Sequence, residues 1–183
     1  VSRRRMASTS TVDAPSGKRQ RTDGGGGGGG FSHGLVLRSA VASNKGRKLT
    51  LEDVPVLLDS LTGIDVALYA IFDGHGGKDS AEFVATRLPA LLAERLAGVE
   101  ASVAIKEVVR SAFIECDKEL LAKASAAGWD DGCCAVVLLV DRRVDPPRGY
   151  VANLGDSRAF TCVVSPSTGS AAPSTGPAAP STG

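Results

Sequence analysis

The chain has 183 residues, with 21 Lys and Arg against 20 Asp and Glu, a net charge of +1. That balance gives no global field to attract nucleic acid or an anionic membrane. No apolar run approaches the roughly 18 residues needed to span a bilayer, and no signal peptide is visible.

Residues 1–30 read as a basic tail and linker. Residues 1–23 mix Ser, Thr, Lys and Arg and are expected to be disordered, and Gly24–Gly30 is a run of glycines with the flexibility of a linker. The clusters Arg3-Arg4-Arg5 and Lys18-Arg19-Gln20-Arg21 read equally as an import signal or as a solvated tail. The only methionine is Met6 and the first residue is Val1, so a fragment or a misassigned start is expected.

Residues 31–164 carry the large apolar side chains and read as the domain. Leu35–Ala42 and Leu51–Leu58 have strand character, the second with Pro55, which suits an edge or a bulge. Val66–Phe72 is a short apolar run expected to be a buried strand, broken by Asp73-Gly74-His75-Gly76-Gly77. A helix follows: Ala81, Val84, Ala85, Leu88, Leu91, Leu92 and Leu96 recur at helical spacing, with a kink expected at Pro89. A second helix buries Ile105, Val108, Val109, Ala112, Phe113, Cys116 and Leu120. Cys133–Val140 is an apolar strand, Asp141–Arg148 a loop, and Tyr150–Leu154 and Arg158–Val164 two further strands. Strands, two long helices, then strands predict an α+β fold with helices on a largely antiparallel sheet.

Residues 165–183 form a low-complexity tail, in which Pro166, Pro173 and Pro180 each open a Pro-Ser-Thr-Gly unit. The four cysteines, Cys116, Cys133, Cys134 and Cys162, lack zinc-ligand spacing. Neighbours such as Cys133 and Cys134 point to opposite faces of a strand, a poor disulfide framework, so reduced thiols in a cytoplasmic or nuclear protein are expected.

Three short elements could carry chemistry. Asp73-Gly74-His75-Gly76-Gly77 delivers an aspartate at the end of a strand, with glycines that permit close approach to a ligand; hard divalent cations suit such oxygen donors. Alone it reads equally as a turn with a surface histidine. Glu52-Asp53 places adjacent carboxylates in an extended stretch, where one can face a site while the other faces away. Gly155-Asp156-Ser157-Arg158 alone is a β-turn.

In this order, with Ala70-Ile71-Phe72 before Asp73, Gly132-Cys133-Cys134-Ala135 between, and Val151-Ala152-Asn153-Leu154 before Gly155, the elements resemble the N-terminal motifs of metal-dependent serine/threonine protein phosphatases of type 2C, the PPM family. The resemblance spans residues 32–164. It implies a β-sandwich flanked by helices, a four-layer αββα arrangement of which this chain holds part. It also implies two or more Mg2+ or Mn2+ ions that activate water for attack on phosphoserine or phosphothreonine in protein substrates. Carried over position by position, Asp73 bridges two ions, while the Gly74 carbonyl and Glu52 complete one of them, largely through waters. His75 is the general acid and Asp156 approaches a third ion. Lys48 stands where the family has a phosphate-gripping arginine, with Arg47 beside it. The later aspartates of the family have no counterpart after Val164, so a truncated, inactive chain is expected. A monomer is expected, with no nucleic-acid or membrane partner. The alternatives are an inactive phosphatase-like binding or regulatory module, and an unrelated structural domain in which these elements are turns.

Overall fold

The computed structural model describes residues 8–13, 35–99 and 105–162, the first of these segments by its backbone only. One sheet and two helices make up the described fold. Strands β1 (Ser8–Asp13), β2 (Asp53–Leu58) and β3 (Val66–His75) precede helices α1 (Asp79–Ala97) and α2 (Ile105–Ala127), and strands β4 (Gly132–Asp141) and β5 (Arg148–Leu154) follow. The sheet order is β1-β5-β4-β3-β2, with every pairing antiparallel. This is the expected α+β arrangement. A second sheet of the implied sandwich is not among the described residues.

Alternation along the strands decides which face meets the helices. Leu68, Ala70 and Phe72 of β3, Ala135, Val137 and Leu139 of β4, and Tyr150 and Ala152 of β5 are buried in one core with Val84, Leu88 and Leu92 of α1 and Val109, Ala112 and Cys116 of α2. Burying Phe72 or Leu68 contributes about 1.5–3 kcal/mol each in transfer free energy. On the opposite face Tyr69, Ile71, Val136, Leu138 and Val151 are half-buried, and Leu57 is exposed.

The helices have the apolar faces expected, and α1 is continuous with Pro89 inside it, one backbone hydrogen bond short. No side chain of its own caps its start. Arg143 closes its other end, donating to the Leu96 carbonyl at 2.7 Å and the Val99 carbonyl at 3.1 Å while pairing with the buried Asp141 at 2.9 Å. Arg87 of α1 forms a forked pair with Glu119 of α2. Lys123 of α2 sits over the Phe83 and Trp129 rings, 5.0 and 5.4 Å from their centroids.

Four segments differ from the sequence reading. Leu35–Ala42 is irregular rather than a strand, with Val36 and Val41 exposed, because no neighbouring strand among the described residues supplies a ladder to it. Residues 158–162 are irregular for the same reason, with Phe160 86% exposed; residues 163–164 lie outside the described residues. Ser8–Asp13, read as part of a tail, pairs with β5 from Ser8↔Asn153 to Asp13↔Arg148. Its Thr and Val content suits a strand, and the sheet edge supplies hydrogen-bond partners that the segment alone does not reveal. Finally, β3 does not stop at Phe72 but runs to His75, because Asp73, Gly74 and His75 keep pairing with Cys134, Cys133 and Gly132. The glycine-rich tract at 24–30 and the tail at 165–183 lie outside the described residues.

Candidate active site

The extension of β3 fixes the geometry of the site. Asp73 lies on the sheet face away from the helices, since Phe72 and Gly74 face the core. His75, two residues on, shares that face and is exposed at the strand end. Directly opposed residues of an antiparallel pair share a face. Asp73 is opposite Asp53 on β2 and opposite Cys134 on β4. The Cys134 thiol in turn donates to Asp156 Oδ1 at 3.2 Å. A row therefore crosses the sheet from Asp53 through Asp73 and Cys134 to Asp156.

Glycines make this row possible at two positions. A Cβ on Gly155, whose φ is +99°, would collide with the Cys134 sulfur. A Cβ on Gly74 would lie 2.6 Å from the Glu52 carbonyl oxygen and 2.8 Å from that of Gly77. Backbone oxygens of two loops thus close on Gly74, an approach only glycine permits.

Glu52 takes a different place from Asp53. It lies beside Gly74, its Cβ 3.1 Å from where a Gly74 Cβ would stand, and so one residue out of step with Asp73. Of the adjacent carboxylates, the register puts Asp53 across from Asp73. The alternation of an extended pair contains this outcome, but only the pairing with β3 says which member faces the site. Glu52 accepts a 3.3 Å ion pair from Lys48, with 16% of its side chain exposed. Arg47 is exposed next to Lys48. The structure thus brings Asp73, His75 and Asp156 to one face, sets Glu52 with Lys48 at the adjoining edge, and adds Asp53 and Cys134.

The thiols are poor nucleophiles here. Burial, with further contributions from Cys134, Asp131 and Asp73, pushes the Cys133 thiol up to about 11. Burial likewise pushes Cys116 up to about 12. Cys134 is also raised, by desolvation and by the Asp156 carboxylate that accepts its hydrogen bond. All three stay protonated near neutral pH, which excludes them as activated nucleophiles. Cys116 and Cys133 line a small apolar cavity between the helices and the sheet, with Val84, Leu88, Phe113 and Leu154, on the far side of the sheet from Asp73.

The carboxylates of Asp53, Asp73 and Asp156 along this row are hard oxygens, of the kind that could hold Mg2+ or Mn2+. Their number is short: among the described residues no group of three or more His, Cys, Asp or Glu side chains is close enough to hold an ion. The buried Asn153 Oδ1, which has no hydrogen-bond partner among the described residues, lies on the same sheet face, opposite Val136.

Residues 37–169 match the family described as protein phosphatase 2C. The chain belongs to the protein phosphatase 2C family. It is 33% identical over 141 residues to the integrin-linked kinase-associated serine/threonine phosphatase 2C of Bos taurus, covering 69% of this chain and 37% of that protein. It is 35% identical over 135 residues to probable protein phosphatase 2C 8 of Arabidopsis thaliana, covering 68% of this chain and 36% of that protein. The chain thus spans about a third of the length of these curated relatives. Among solved structures, a C. elegans sex determining protein aligns with a TM-score of 0.49 at 23% identity, over 54% of this chain and 25% of the other.

Proposed function

We propose that this chain is the N-terminal part of a metal-dependent phosphatase domain that hydrolyses phosphoserine and phosphothreonine in proteins. The observation that carries the reading is the row Asp53–Asp73–Cys134–Asp156, with His75 on the same sheet face, in a chain of the protein phosphatase 2C family. Asp73 would be the principal carboxylate holding the divalent ions, with the Gly74 carbonyl, Glu52 and Asp156 as further donors and Asp53 opposite it on the same face. When bound, the divalent ions supply an acidified water and neutralise phosphate charge. The protein's own steps are simpler. His75, exposed at the end of β3, donates a proton to the departing seryl or threonyl oxygen. Arg47 and Lys48 attract the phosphate; Lys48 is already paired with Glu52, so Arg47 is the freer cation to meet it.

The remaining carboxylates of the metal shell are proposed to lie outside the described residues. The 183-residue chain is then a weak ion binder with little turnover, working as a monomer in the cytoplasm or nucleus. A second reading, an inactive phosphatase-like module, draws on the same shortage of three clustered donors.

Turnover of a phosphothreonine peptide separates the two. The chain extended to the relatives' length is assayed with Mn2+ or Mg2+, then with a chelator. Metal-dependent multiple turnover abolished by chelation supports the enzyme; no turnover at any ion concentration supports the module.

A further inference from the structure

We propose that Asp131 is a positioning residue that sets the place of His75; the mechanistic value of that placement rests on the general-acid role given to His75 above. Three observations meet at the loop between β3 and α1. First, α1 has no side-chain cap of its own, and Asp131, 51 residues away in sequence, takes that task. Ser80 donates to it twice: the backbone N–H to Oδ2 at 3.0 Å and the hydroxyl to Oδ1 at 2.8 Å. Ser80 is 1% exposed, so water offers these groups no equivalent partner. A carboxylate also suits the positive end of the helix.

Second, the glycines after His75 are moulded on the same residue. A Cβ on Gly77, whose φ is +154°, would lie 3.0 Å from the Asp131 Cβ and 3.1 Å from its Oδ2; a Cβ on Gly76, whose φ is +75°, would lie 3.6 Å from the Asp131 Cα. Third, the imidazole rests on the next residue in the chain. A Cβ on Gly132 would lie 2.7 Å from His75 Nε2 and 3.1 Å from Cε1. The segment from His75 to Ser80 is thus held at its far end by the Asp131 carboxylate and at its near end by the Gly132 backbone. Releasing the carboxylate frees the loop and the start of α1, and leaves the imidazole without a fixed approach to Gly132.

The measurement reads position rather than turnover, so it stands whatever reaction the site performs. The chain has two histidines, which makes the His75 ring protons assignable through a His75→Gln reference. In the full chain, the nuclear Overhauser contact between the His75 Hε1 and the Gly132 α-protons is recorded for wild type, Asp131→Ala, Asp131→Asn and Ser80→Ala. Asp131→Asn keeps the contact, because the amide accepts from the Ser80 N–H and donates to its hydroxyl oxygen. Asp131→Ala loses it while the cross-strand contacts of β3 with β4 persist. Ser80→Ala removes the hydroxyl, which reaches both Asp131 Oδ1 and, at 3.3 Å, the Asp131 backbone carbonyl, keeps the backbone N–H bonds, and weakens the contact at least twofold; this variant decides if Asp131→Ala does not fold. An unchanged contact in Ser80→Ala and in a folded Asp131→Ala, or a loss in Asp131→Asn equal to that in Asp131→Ala, overturns the proposal.

Discussion

Replacing Gly74 by alanine tests how tightly β2 and the glycine loop close on the end of β3. The added methyl would meet the Glu52 carbonyl oxygen at 2.6 Å and the Gly77 carbonyl oxygen at 2.8 Å. Both are backbone atoms, so neither can swing aside as the tip of a side chain would. Gly74 does not have a positive φ, so no left-handed strain adds to the clash, and alanine even recovers some of the entropy that glycine loses in a strand. Overpacking of this kind costs about 1–3 kcal/mol. Setting a recovery of about 0.5–1 kcal/mol against it leaves roughly 0–2.5 kcal/mol, and two backbone contacts under 3 Å put the cost in the upper part of that range, about 1–2.5 kcal/mol. With a urea dependence of about 1–3 kcal/mol per molar, the midpoint falls by roughly 1 M. The matched control is Gly98→Ala at the end of α1: its φ is −93° and an added Cβ meets nothing within 4 Å. That substitution is neutral or stabilising by up to about 1 kcal/mol. Urea unfolding followed by the fluorescence of Trp129, the only tryptophan, measures both. A Gly74→Ala variant within about 0.5 kcal/mol of wild type, or no less stable than Gly98→Ala, would refute the packing described here.

In the extended chain, His75→Ala slows hydrolysis of a phosphothreonine peptide at least tenfold more than that of p-nitrophenyl phosphate, because a general acid matters most for a basic leaving oxygen; equal losses assign His75 another task. Asp131 predicts a pH dependence of stability. Burial opposes its charge, but bonds from the Ser80 N–H and hydroxyl and from the Asp79 N–H outweigh that and hold its carboxyl below the usual range. A lowered folded value means that its stabilisation is present in full above the unfolded value of about 4, and is lost as pH falls through the folded value. Melting curves of wild type and Asp131→Asn therefore converge below about pH 4; a constant gap down to pH 2 contradicts this.

The periodicity of the helices and the apolar runs of β3, β4 and β5 made the α+β class legible, because each records its own burial. Strand pairing was less so. Leu35–Ala42 and Arg158–Val164 have strand composition, yet a ladder needs a neighbour, and no local pattern reports one. Ser8–Asp13 failed in the opposite direction: a polar segment ahead of a glycine-rich tract has no apolar face, and its partners on β5 lie 135 (Asp13↔Arg148) to 145 (Ser8↔Asn153) residues away. At the site, Asp73, His75 and Asp156 stood out through the glycines around them. The place of Asp53 depended on register, which a single residue of slip would invert. Asp131 carried no signal beyond an acidic pair in a loop, since its partner Ser80 is remote in sequence.

Metal binding by Asp73 tests the central claim most directly. Mn2+ is titrated into the 183-residue chain, and into Asp73→Asn and Asp130→Asn variants, with bound ion read by paramagnetic resonance. Asp73→Asn keeps the shape of the side chain and removes its charge, so the fold stays and the ion loses its principal anionic donor. The account predicts weak, saturable binding by wild type and Asp130→Asn that drops at least tenfold in Asp73→Asn. Equal binding by all three, or binding that Asp130→Asn removes and Asp73→Asn does not, would contradict it.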